Sequence, residues 1–246
     1  MKPYYDDGQT TIYHGDAREI LPALQADLIV ADPPYNQTSL KWDKWPEGWP
    51  SLALQAIAAH GSMWCFGSMR MFLDRSRDFA GWNFAQDLVW EKHNGSNFHA
   101  DRFKRVHESI AQFYPATWAQ VYRNPVFTLD ATKRTTRRKA RPPHMGEIDE
   151  GVYTSEDGGP RLMRSVQYVR STHGYAVHPT QKPIGIITPL LRYSCPSDGI
   201  VLDPFAGSCS TLLAAKELGL RAIGIEIDKK YIDEGIRRLV TPIEGG

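Results

Sequence analysis

Short apolar segments that end in polar or acidic residues recur along this chain and constrain its fold more than any other feature. They are TTIYHGD, DLIVAD, SMWCFGS, DLVWEK, ESIAQFY, GIVLDPF and RAIGIEID. Runs this short, with apolar residues at consecutive positions, are typical of strands that are buried on both faces of a sheet. Most of them are followed by polar or helix-like segments such as STLLAAKELG. This alternation predicts an α/β protein with a doubly wound, mostly parallel sheet.

The alternation of strands and helices fails between Pro115 and Val177. This stretch is rich in Arg, Thr, Pro and Gly, and it contains the basic run KRTTRRKAR at Lys133–Arg141. Taken alone, such a run is as consistent with a solvated loop as with an arm that contacts the phosphates of a nucleic acid. We predict a core formed by residues 1–114 and 178–246, with residues 115–177 inserted into it.

Other bulk properties exclude several classes of protein. No run of about 18 apolar residues occurs, so no membrane-spanning helix is expected. The N-terminal segment MKPYYDDGQT has no apolar stretch that could act as a signal peptide. The three cysteines, Cys65, Cys195 and Cys209, are too scattered for a disulfide framework or a CxxC metal site, which predicts a reduced, cytoplasmic setting. Metal-ligand spacing is also lacking among His93, His99, His107, His144 and His173.

The segment LIVADPPY, residues 28–35, ends a predicted buried strand with an aspartate, two prolines and a tyrosine. Consecutive prolines cannot continue a central strand, because they donate no ladder hydrogen bond and their φ is fixed. Asp32 therefore stands at the carboxyl end of the strand, and ligands bind at this edge of open α/β sheets. The sequence predicts a functional site at this turn.

A second site is predicted by VLDPFAGSCSTLLAAKELGLRAIGIEID, residues 201–228, in which a strand, a loop of small residues and a helix precede a strand that ends at Glu226. Small residues let the backbone approach a ligand, and the helix N-terminus offers unpaired N–H groups. An acidic residue at the end of the second strand is placed to accept hydrogen bonds from ribose hydroxyls. Because the loop lacks both the GxGxxG spacing and a P-loop lysine, we predict an adenosine cofactor without phosphates.

Together these motifs resemble those of the amino-group DNA methyltransferases, which use S-adenosylmethionine. DPPY matches the family's catalytic motif (D/N/S)PP(Y/F), and DPFAGSCST resembles its F-x-G-x-G cofactor loop except at the second glycine. HPTQKP at residues 178–183, YHGDA at residues 13–17 and RVHESIAQFY resemble three further segments. The catalytic motif precedes the recognition region and the cofactor loop, which is the circularly permuted order of the family's β class. The resemblance implies a Rossmann-like methyltransferase fold in which residues 115–177 form an inserted target-recognition region.

The resemblance also implies roles for individual residues. The implied catalytic residues are Asp32, Pro33, Pro34 and Tyr35, of which Asp32 and the Pro33 carbonyl accept hydrogens of the target amine and Tyr35 stacks on a flipped base. The implied cofactor residues are Asp16, Ala17, Asp32, Pro33, Thr180, Lys182, Pro183, Asp203, Phe205, Ala206, Gly207, Ser208, Cys209, Ser210, Thr211, Glu226 and Ile227. His178 is expected to be a structural hydrogen-bonding residue, and no metal is expected to take part.

Two features of this part of the sequence each allow two interpretations. Cys209 stands where the family's cofactor loop usually has its second glycine, and a positive φ there would strain a residue with a Cβ. We expect that this position does not need a positive φ, so that Cys209 is only a small neighbour of the cofactor. The tryptophans Trp42, Trp45 and Trp49 after the catalytic motif form either a mobile lid or a packed hydrophobic cluster.

The implied reaction is site-specific methylation of adenine N6 in DNA, since an aspartate at the first position of the motif leans to adenine within the family. N4-cytosine methylation is the alternative. RNA or protein methylation ranks below these because of the motif order. A non-catalytic nucleic-acid-binding domain also ranks below them, because Asp32, Tyr35, Gly207 and Glu226 are all retained. A homodimer and a restriction–modification context are family-based expectations. The expected DNA contacts are Lys133, Arg134, Arg137, Arg138, Lys139 and Arg141.

Overall fold

The computed structural model describes residues 1–36, 43–95, 100–141, 149–172 and 181–241. The chain divides into two compact units, of which the larger comprises Met1–Asn124 with Ser165–Gly246 and the smaller comprises Pro125–Arg164. The smaller unit is therefore shorter than the predicted insertion, residues 115–177.

Strands are distributed along most of the described chain. They are β1 (Tyr5–Asp6), β2 (Thr10–His14), β3 (Ala26–Ala31), β4 (Ile57–Gly67), β5 (Asn83–Glu91), β6 (His107–Tyr114), β7 (Phe127–Thr128), β8 (Arg134–Arg138), β9 (Gly151–Ser155), β10 (Arg161–Leu162), β11 (Val166–Tyr168), β12 (Ile200–Asp203) and β13 (Arg221–Glu226). The larger unit holds a nine-stranded sheet in the order β1-β2-β13-β12-β3-β4-β6-β5-β11. Its strands β2, β13, β12, β3 and β4 run parallel to one another, whereas β6 is antiparallel to both β4 and β5. All the predicted strands are confirmed, and all lie in this sheet.

Helices cover both faces of the sheet. They are α1 (Ala17–Ile20), α2 (Trp49–Ala56), α3 (Met69–Asp74), α4 (Ile184–Ser194), α5 (Ser210–Glu217) and α6 (Lys229–Val240). Leu28 and Val30 of β3 belong to the core that also contains residues of α4, α5 and α6, whereas Ile29 and Ala31 belong to the core with α1, α2 and α3. Because side chains alternate across a strand, this division explains the unbroken apolar run of β3. The predicted doubly wound, mostly parallel sheet is confirmed.

None of the helices in the described ranges is both long and apolar enough to cross a membrane.

The smaller unit contains two antiparallel strand pairs. Strand β8 pairs with β9, and β7 pairs with β10. Every residue of β8 is exposed, so this strand buries neither of its faces within the described chain.

Candidate active site

Acidic side chains follow neighbouring parallel strands at the carboxyl edge of the large sheet. Asp16 follows β2, Glu226 ends β13, Asp203 ends β12 and Asp32 follows β3, which is also the order of these strands across the sheet. The end of β2 is joined to the end of β13, since the Gly15 N–H donates to the Glu226 carbonyl at 3.0 Å. The fold thus brings together the acidic residues of two motifs that are far apart in the sequence.

Asp32 is held on both of its carboxylate oxygens. The Tyr35 hydroxyl donates to Oδ1 at 2.6 Å, and the Lys182 ammonium donates to Oδ2 at 2.5 Å. Burial raises the pKa of Asp32 above its usual range, although the charge of Lys182 opposes that shift. Burial also raises the pKa of Tyr35 well above its usual range, so the phenol remains a hydrogen-bond donor at neutral pH.

The turn after Asp32 is fixed at its far end. Pro33 is buried, and Asn36 adopts a left-handed conformation with φ 57°, a region that Asn enters more readily than most residues. The Asn36 N–H donates at 2.8 Å to Oδ1 of Asp43, which is itself buried. These contacts fix the direction in which Asp32 leaves the strand.

The carboxylate of Glu226 accepts hydrogen bonds from backbone N–H groups on two sides. The Gly207 N–H donates to Oε2 at 2.8 Å, and the Asp228 N–H donates to Oε1 at 2.8 Å. Gly207 has a φ of 49°, which a glycine adopts without strain. Each carboxylate oxygen accepts two hydrogen bonds, so Glu226 retains acceptor capacity for ribose hydroxyls. The donor set therefore fits an adenosine group at this edge.

Asp203 is buried between the carboxylates of Asp32 and Glu226. Its side chain accepts hydrogen bonds from the Phe205 N–H at 3.0 Å and from the Thr211 hydroxyl. Burial raises its pKa to about 7, and the negative charges of Asp32 and Glu226 add to the shift. Burial raises the pKa of Glu226 as well. A group of carboxyl groups that resist ionisation favours a positively charged ligand, which would restore their usual ionisation.

Replacing Asp203 by Asn is expected to stabilise the protein increasingly as the pH rises. The folded protein holds the Asp203 proton up to about pH 7, whereas the unfolded chain releases it near its ordinary pKa. Folding free energy is therefore lost between these two values, and the Asn variant does not lose it. Thermal unfolding should give Tm values that differ least near pH 4 and a Tm higher by at least about 3 °C for Asp203→Asn at pH 8. A difference between the two proteins that is the same at both pH values would contradict this.

Cys209 has a positive φ, so the expectation that its position does not need one was wrong. Its φ is 62° and its ψ is 31°, which places it in the left-handed region directly before α5. The Cβ is tolerated because α6 has a glycine opposite: a Cβ at Gly235 would lie 2.4 Å from Cys209 Sγ. The thiol is fully buried, and burial raises its pKa to about 12. Cys209 is therefore an unreactive packing residue held in a strained backbone conformation.

The contact between Cys209 and Gly235 predicts a compensating pair of substitutions. Gly235→Ala alone is expected to destabilise the protein by about 1–3 kcal/mol, because the new methyl group overlaps the thiol. Cys209→Gly in the same chain removes both the thiol and the left-handed strain and should restore most of the loss. Urea unfolding of the two single variants and the double variant measures the coupling. Additive effects of the two substitutions would disprove the packing explanation.

The other cofactor-loop residues are held by contacts within the larger unit. Arg238 of α6 donates to the carbonyl of Ser208, to its hydroxyl at 3.1 Å and to the Ser210 hydroxyl at 3.2 Å. The Ser208 hydroxyl in turn donates to Gln181 Oε1 at 3.2 Å. The Ala206 N–H donates to the Ile225 carbonyl at 2.9 Å. The backbone of the loop is therefore fixed between β13 and α6.

The remaining predicted cofactor residues lie at different places along the edge. Asp16 caps α1 by accepting from the Arg18 N–H at 2.8 Å, and its salt bridge with Arg18 lowers its pKa. Ala17 is buried in α1, Ile227 is exposed after β13, and Pro183 is buried at the start of α4. Thr180 and His178 lie outside the described residues. The cofactor roles of Asp16, Ala17, Thr180, Pro183 and Ile227 remain predictions, and so does the structural role of His178.

Trp45 and Trp49 belong to a packed cluster. They are 6% and 0% exposed, and their rings are 5.9 Å apart. The Trp49 ring also meets Phe205 of the cofactor loop edge to face at 5.2 Å. Of the two alternatives, the packed cluster is therefore correct for these residues, and it supports the cofactor loop from below. Trp42 lies outside the described residues.

Two charged residues that the sequence analysis did not select also belong to the site. Glu108 of β6 lies 3.5 Å from the Lys182 ammonium, and Lys92, directly after β5, donates to the other oxygen of Glu108. Glu108 lies near the beginning of β6, within the segment RVHESIAQFY that resembles the family, but neither Glu108 nor Lys92 was selected as a site residue. Among the described residues, no three His, Cys, Asp or Glu side chains are grouped as metal ligands.

The family model for DNA methylases, N6_N4_Mtase, matches residues 26–237. The chain belongs to this DNA methylase family. The predicted membership in the amino-group DNA methyltransferases is thereby confirmed, and the matched range of the methylase contains Asp32, Glu108, Asp203 and Glu226.

Two relatives match nearly the whole methylase. The type II methyltransferase M.ScaI of Streptomyces caespitosus is 26% identical over 268 residues, which cover 97% of this chain and 84% of that protein. The type II methyltransferase M.HinfI of Haemophilus influenzae is 29% identical over 275 residues, which cover 97% of this chain and 70% of that protein.

Solved structures share the fold of the methylase. The M1.HpyAVI–SAM complex has a TM-score of 0.65 at 23% identity and covers 94% of this chain and 99% of its own. The PvuII DNA methyltransferase, described as cytosine-N4-specific, has a TM-score of 0.70 at 15% identity and covers 99% of this chain and 91% of its own. These similarities confirm the predicted methyltransferase fold.

Proposed function

We propose that this methylase transfers a methyl group from S-adenosylmethionine to the N6 amino group of adenine in DNA. The observation that carries the proposal is the placement of Asp32 beside Asp203 and Glu226 at one edge of the sheet. The family supplies the reaction class, and the geometry supplies an acceptor for the amine beside a site for the methyl donor.

The chemistry of an exocyclic amine explains why this carboxylate is needed. Its nitrogen is a weak nucleophile while the lone pair is delocalised into the base, and acceptors for its two hydrogens favour the tetrahedral geometry of attack. Asp32 Oδ1 and the Pro33 carbonyl are the two acceptors. Oδ1 holds the Tyr35 hydroxyl at 2.6 Å in the free protein, and it has a second lone pair for the amine hydrogen. Tyr35 provides an aromatic face for a base that has left the duplex.

Positioning is the main source of rate in this proposal. Holding the amine in line with the methyl group is worth up to about 7–11 kcal/mol. The nitrogen becomes positively charged as the new bond forms, and the fixed Asp32 carboxylate stabilises this charge until the proton is lost.

The chain's own residues would hold the cofactor as follows. Glu226 would accept the ribose hydroxyls, Asp16 would lie near the adenine, and the backbone of residues 205–209 would line the pocket. The sulfonium group supplies an activated methyl, and its positive charge suits the carboxyl groups of Asp32 and Asp203. The similar fold of the M1.HpyAVI–SAM complex supports this arrangement.

The choice of adenine rests on the aspartate that begins the catalytic motif. N4-cytosine methylation is the second candidate function, because the cytosine-N4-specific PvuII methyltransferase shares the fold. Both bases present an exocyclic amine next to a ring nitrogen, so the same acceptors serve both reactions.

Methylation of unmethylated genomic DNA tests the proposal. The purified protein is incubated with the DNA and S-adenosylmethionine, and the hydrolysed bases are separated and identified by mass spectrometry. N6-methyladenine is the expected product. N4-methylcytosine would replace adenine by cytosine as the target, and the absence of any methylated base despite cofactor binding would overturn DNA as the substrate.

We further propose that the smaller unit contacts DNA through its basic strand. The Lys133 ammonium lies 3.4 Å from Glu156 and Arg138 Nε donates to the Asp149 carbonyl at 3.0 Å, but these side chains remain exposed. A two-stranded ribbon such as β8–β9 is narrow enough to enter a major groove. The exposed cations that support the proposal are Lys133, Arg134, Arg137, Arg138, Lys139 and Arg141.

A further inference from the structure

Four side chains of alternating charge form a continuous buried row that begins at the catalytic carboxylate. Asp32 Oδ2 is 2.5 Å from the Lys182 ammonium, which is 3.5 Å from Glu108 Oε2, and Glu108 Oε1 accepts from Lys92. The side chains of Lys182, Glu108 and Lys92 are only 8%, 17% and 19% exposed. The proposed reaction uses Asp32 directly, but it assigns no role to Glu108 or Lys92.

Strand pairing brings the outer members of the row to the catalytic edge. Strand β6 runs antiparallel to β4, so the beginning of β6, with Glu108, lies at the same edge as the end of β4. Strand β5 is antiparallel to β6 in turn, and Glu108 is paired with Trp90. The Lys92 N–H donates to the Val106 carbonyl at 2.7 Å, which continues this pairing beyond the strand.

Aromatic rings lie beside both ammonium groups. Lys182 Nζ is 5.3 Å from the centre of the Phe66 ring, and Lys92 Nζ is 4.5 Å from the centre of the Trp90 ring. These rings attract the cations without providing a hydrogen-bond acceptor. Among the described contacts, Asp32 and Glu108 provide carboxylate acceptors for these ammonium groups, and Glu108 contacts both lysines.

We propose that Glu108 is a positioning residue for methyl transfer: it holds the Lys182 ammonium against Asp32 Oδ2, and Lys92 balances its charge. The inference rests on the proposed function, because it assigns a role in that same reaction. With two carboxylates and two ammonium groups the row is neutral, which is the condition under which charged groups tolerate burial. Lys182 favours the charged form of Asp32, and Glu108 keeps the ammonium aligned on Oδ2.

The opposing interpretation is that the row only supports the fold. If it does, loss of Glu108 leaves the plateau rate of methyl transfer unchanged, whereas a positioning role lowers it. The row also acts on the ionisation of Asp32, whose carboxylate accepts an amine hydrogen more strongly than the protonated acid does. Removing the negative charge of Glu108 should make Asp32 easier to ionise, whereas removing the positive charge of Lys182 should make it harder. Substitutions of two adjacent side chains are thus expected to move the pH profile in opposite directions.

Other titratable groups also face Asp32. Tyr35 approaches from its own turn, Cys65 from β4 and Asp203 from β12. Burial raises the pKa of Tyr35 and of Cys65 well above neutrality, so both stay uncharged. Burial raises the pKa of Asp203 to about 7, so this group titrates within the measured range. It is present in every variant compared, so differences between the variants report the row itself.

The experiment measures single-turnover methylation rates from pH 5 to pH 9, with DNA and S-adenosylmethionine bound beforehand. Glu108→Gln should lower the plateau rate about tenfold and move the acid limb to lower pH. Lys182→Met should move the acid limb about one unit to higher pH. Lys182→Arg, which keeps the charge, should leave the limb in place and lower only the plateau. Asp74→Asn, which breaks the exposed pair with Arg70 on α3, is the control for loss of a carboxylate.

A measurement without catalysis separates this inference from the proposed function. The ¹³C shift of the Asp32 carboxyl, assigned by its loss in Asp32→Asn, reports the same ionisation in the free protein. Opposite shifts of its titration in Glu108→Gln and Lys182→Met support the row even if the target base is not adenine. Shifts in the same direction, or shifts no larger than in Asp74→Asn, would overturn it.

Discussion

Asp32→Asn is expected to lower the single-turnover rate of DNA methylation about a thousandfold, a loss comparable to that of a preorganised polar group in other active sites. The amide keeps the size of the side chain but removes its charge and leaves a single acceptor oxygen, which can face the Lys182 ammonium or the target amine but not both. The substitution also leaves the buried ammonium without its nearest carboxylate. Cofactor affinity should fall much less, because Glu226 and the loop backbone are unchanged.

Rapid-quench measurement of methyl incorporation, combined with calorimetry of S-adenosylmethionine binding, tests this result. Tyr35→Phe is the informative comparison, because it removes the hydroxyl that donates to Asp32 but keeps the aromatic face. It should retain most of the rate if stacking is the contribution of Tyr35. A rate for Asp32→Asn within tenfold of the wild type, in a protein that melts normally, would contradict the role of the carboxylate.

The parts of the site that the sequence predicted correctly depend on short-range patterns. An apolar run followed by Asp-Pro-Pro fixes the end of β3, and an apolar run followed by small residues fixes the junction of β12 and α5. In parallel strands, the carboxyl ends share one edge, so the acidic residues at these ends meet regardless of their separation in sequence. For this reason, the placement of Asp32, Asp203 and Glu226 at one edge of the sheet was predictable.

The parts that the sequence did not predict depend on long-range packing. The position of Glu108 next to Lys182 depends on the register of β6 relative to β4 and β5. No local sequence pattern predicts that register. The positive φ of Cys209 is tolerated because α6 has a glycine, Gly235, at the point of contact. A resemblance to a glycine-containing motif indicated an unusual backbone there, but only the opposite helix shows how a larger residue fits.

The row from Asp32 to Lys92 also explains how one edge of the sheet can both bind a cationic cofactor and accept a hydrogen of the target amine. Burial opposes the ionisation of Asp32, Asp203 and Glu226, which prepares the edge for a cationic cofactor. The same burial favours the protonated form of Asp32, which is the weaker acceptor for an amine hydrogen. Lys182 opposes this shift for Asp32, since of these three carboxyl groups Asp32 is the one that the ammonium contacts at hydrogen-bond distance.

Replacing Arg134, Arg137 and Arg138 together by Gln is expected to weaken DNA binding about a hundredfold at ~0.1 M salt. All three lie on β8 and are exposed, so their removal should leave the fold unchanged. Each phosphate contact that is lost also removes the release of a counterion. The slope of log affinity against log salt should therefore become shallower by about 2.7 if all three arginines contact phosphates.

Fluorescence anisotropy with a labelled duplex, measured at several salt concentrations, gives both quantities. The matched control replaces the same three arginines by Lys, which keeps the charges and should preserve the salt slope, since lysine also binds phosphate as a point charge. Cofactor binding should be unchanged in both variants, because the cofactor residues belong to the larger unit. If the Gln variant keeps the wild-type affinity and slope, the basic strand is only a solvated surface and DNA is bound elsewhere. If the Lys variant keeps the slope but methylates additional sequences, the arginines read base edges as well as phosphates.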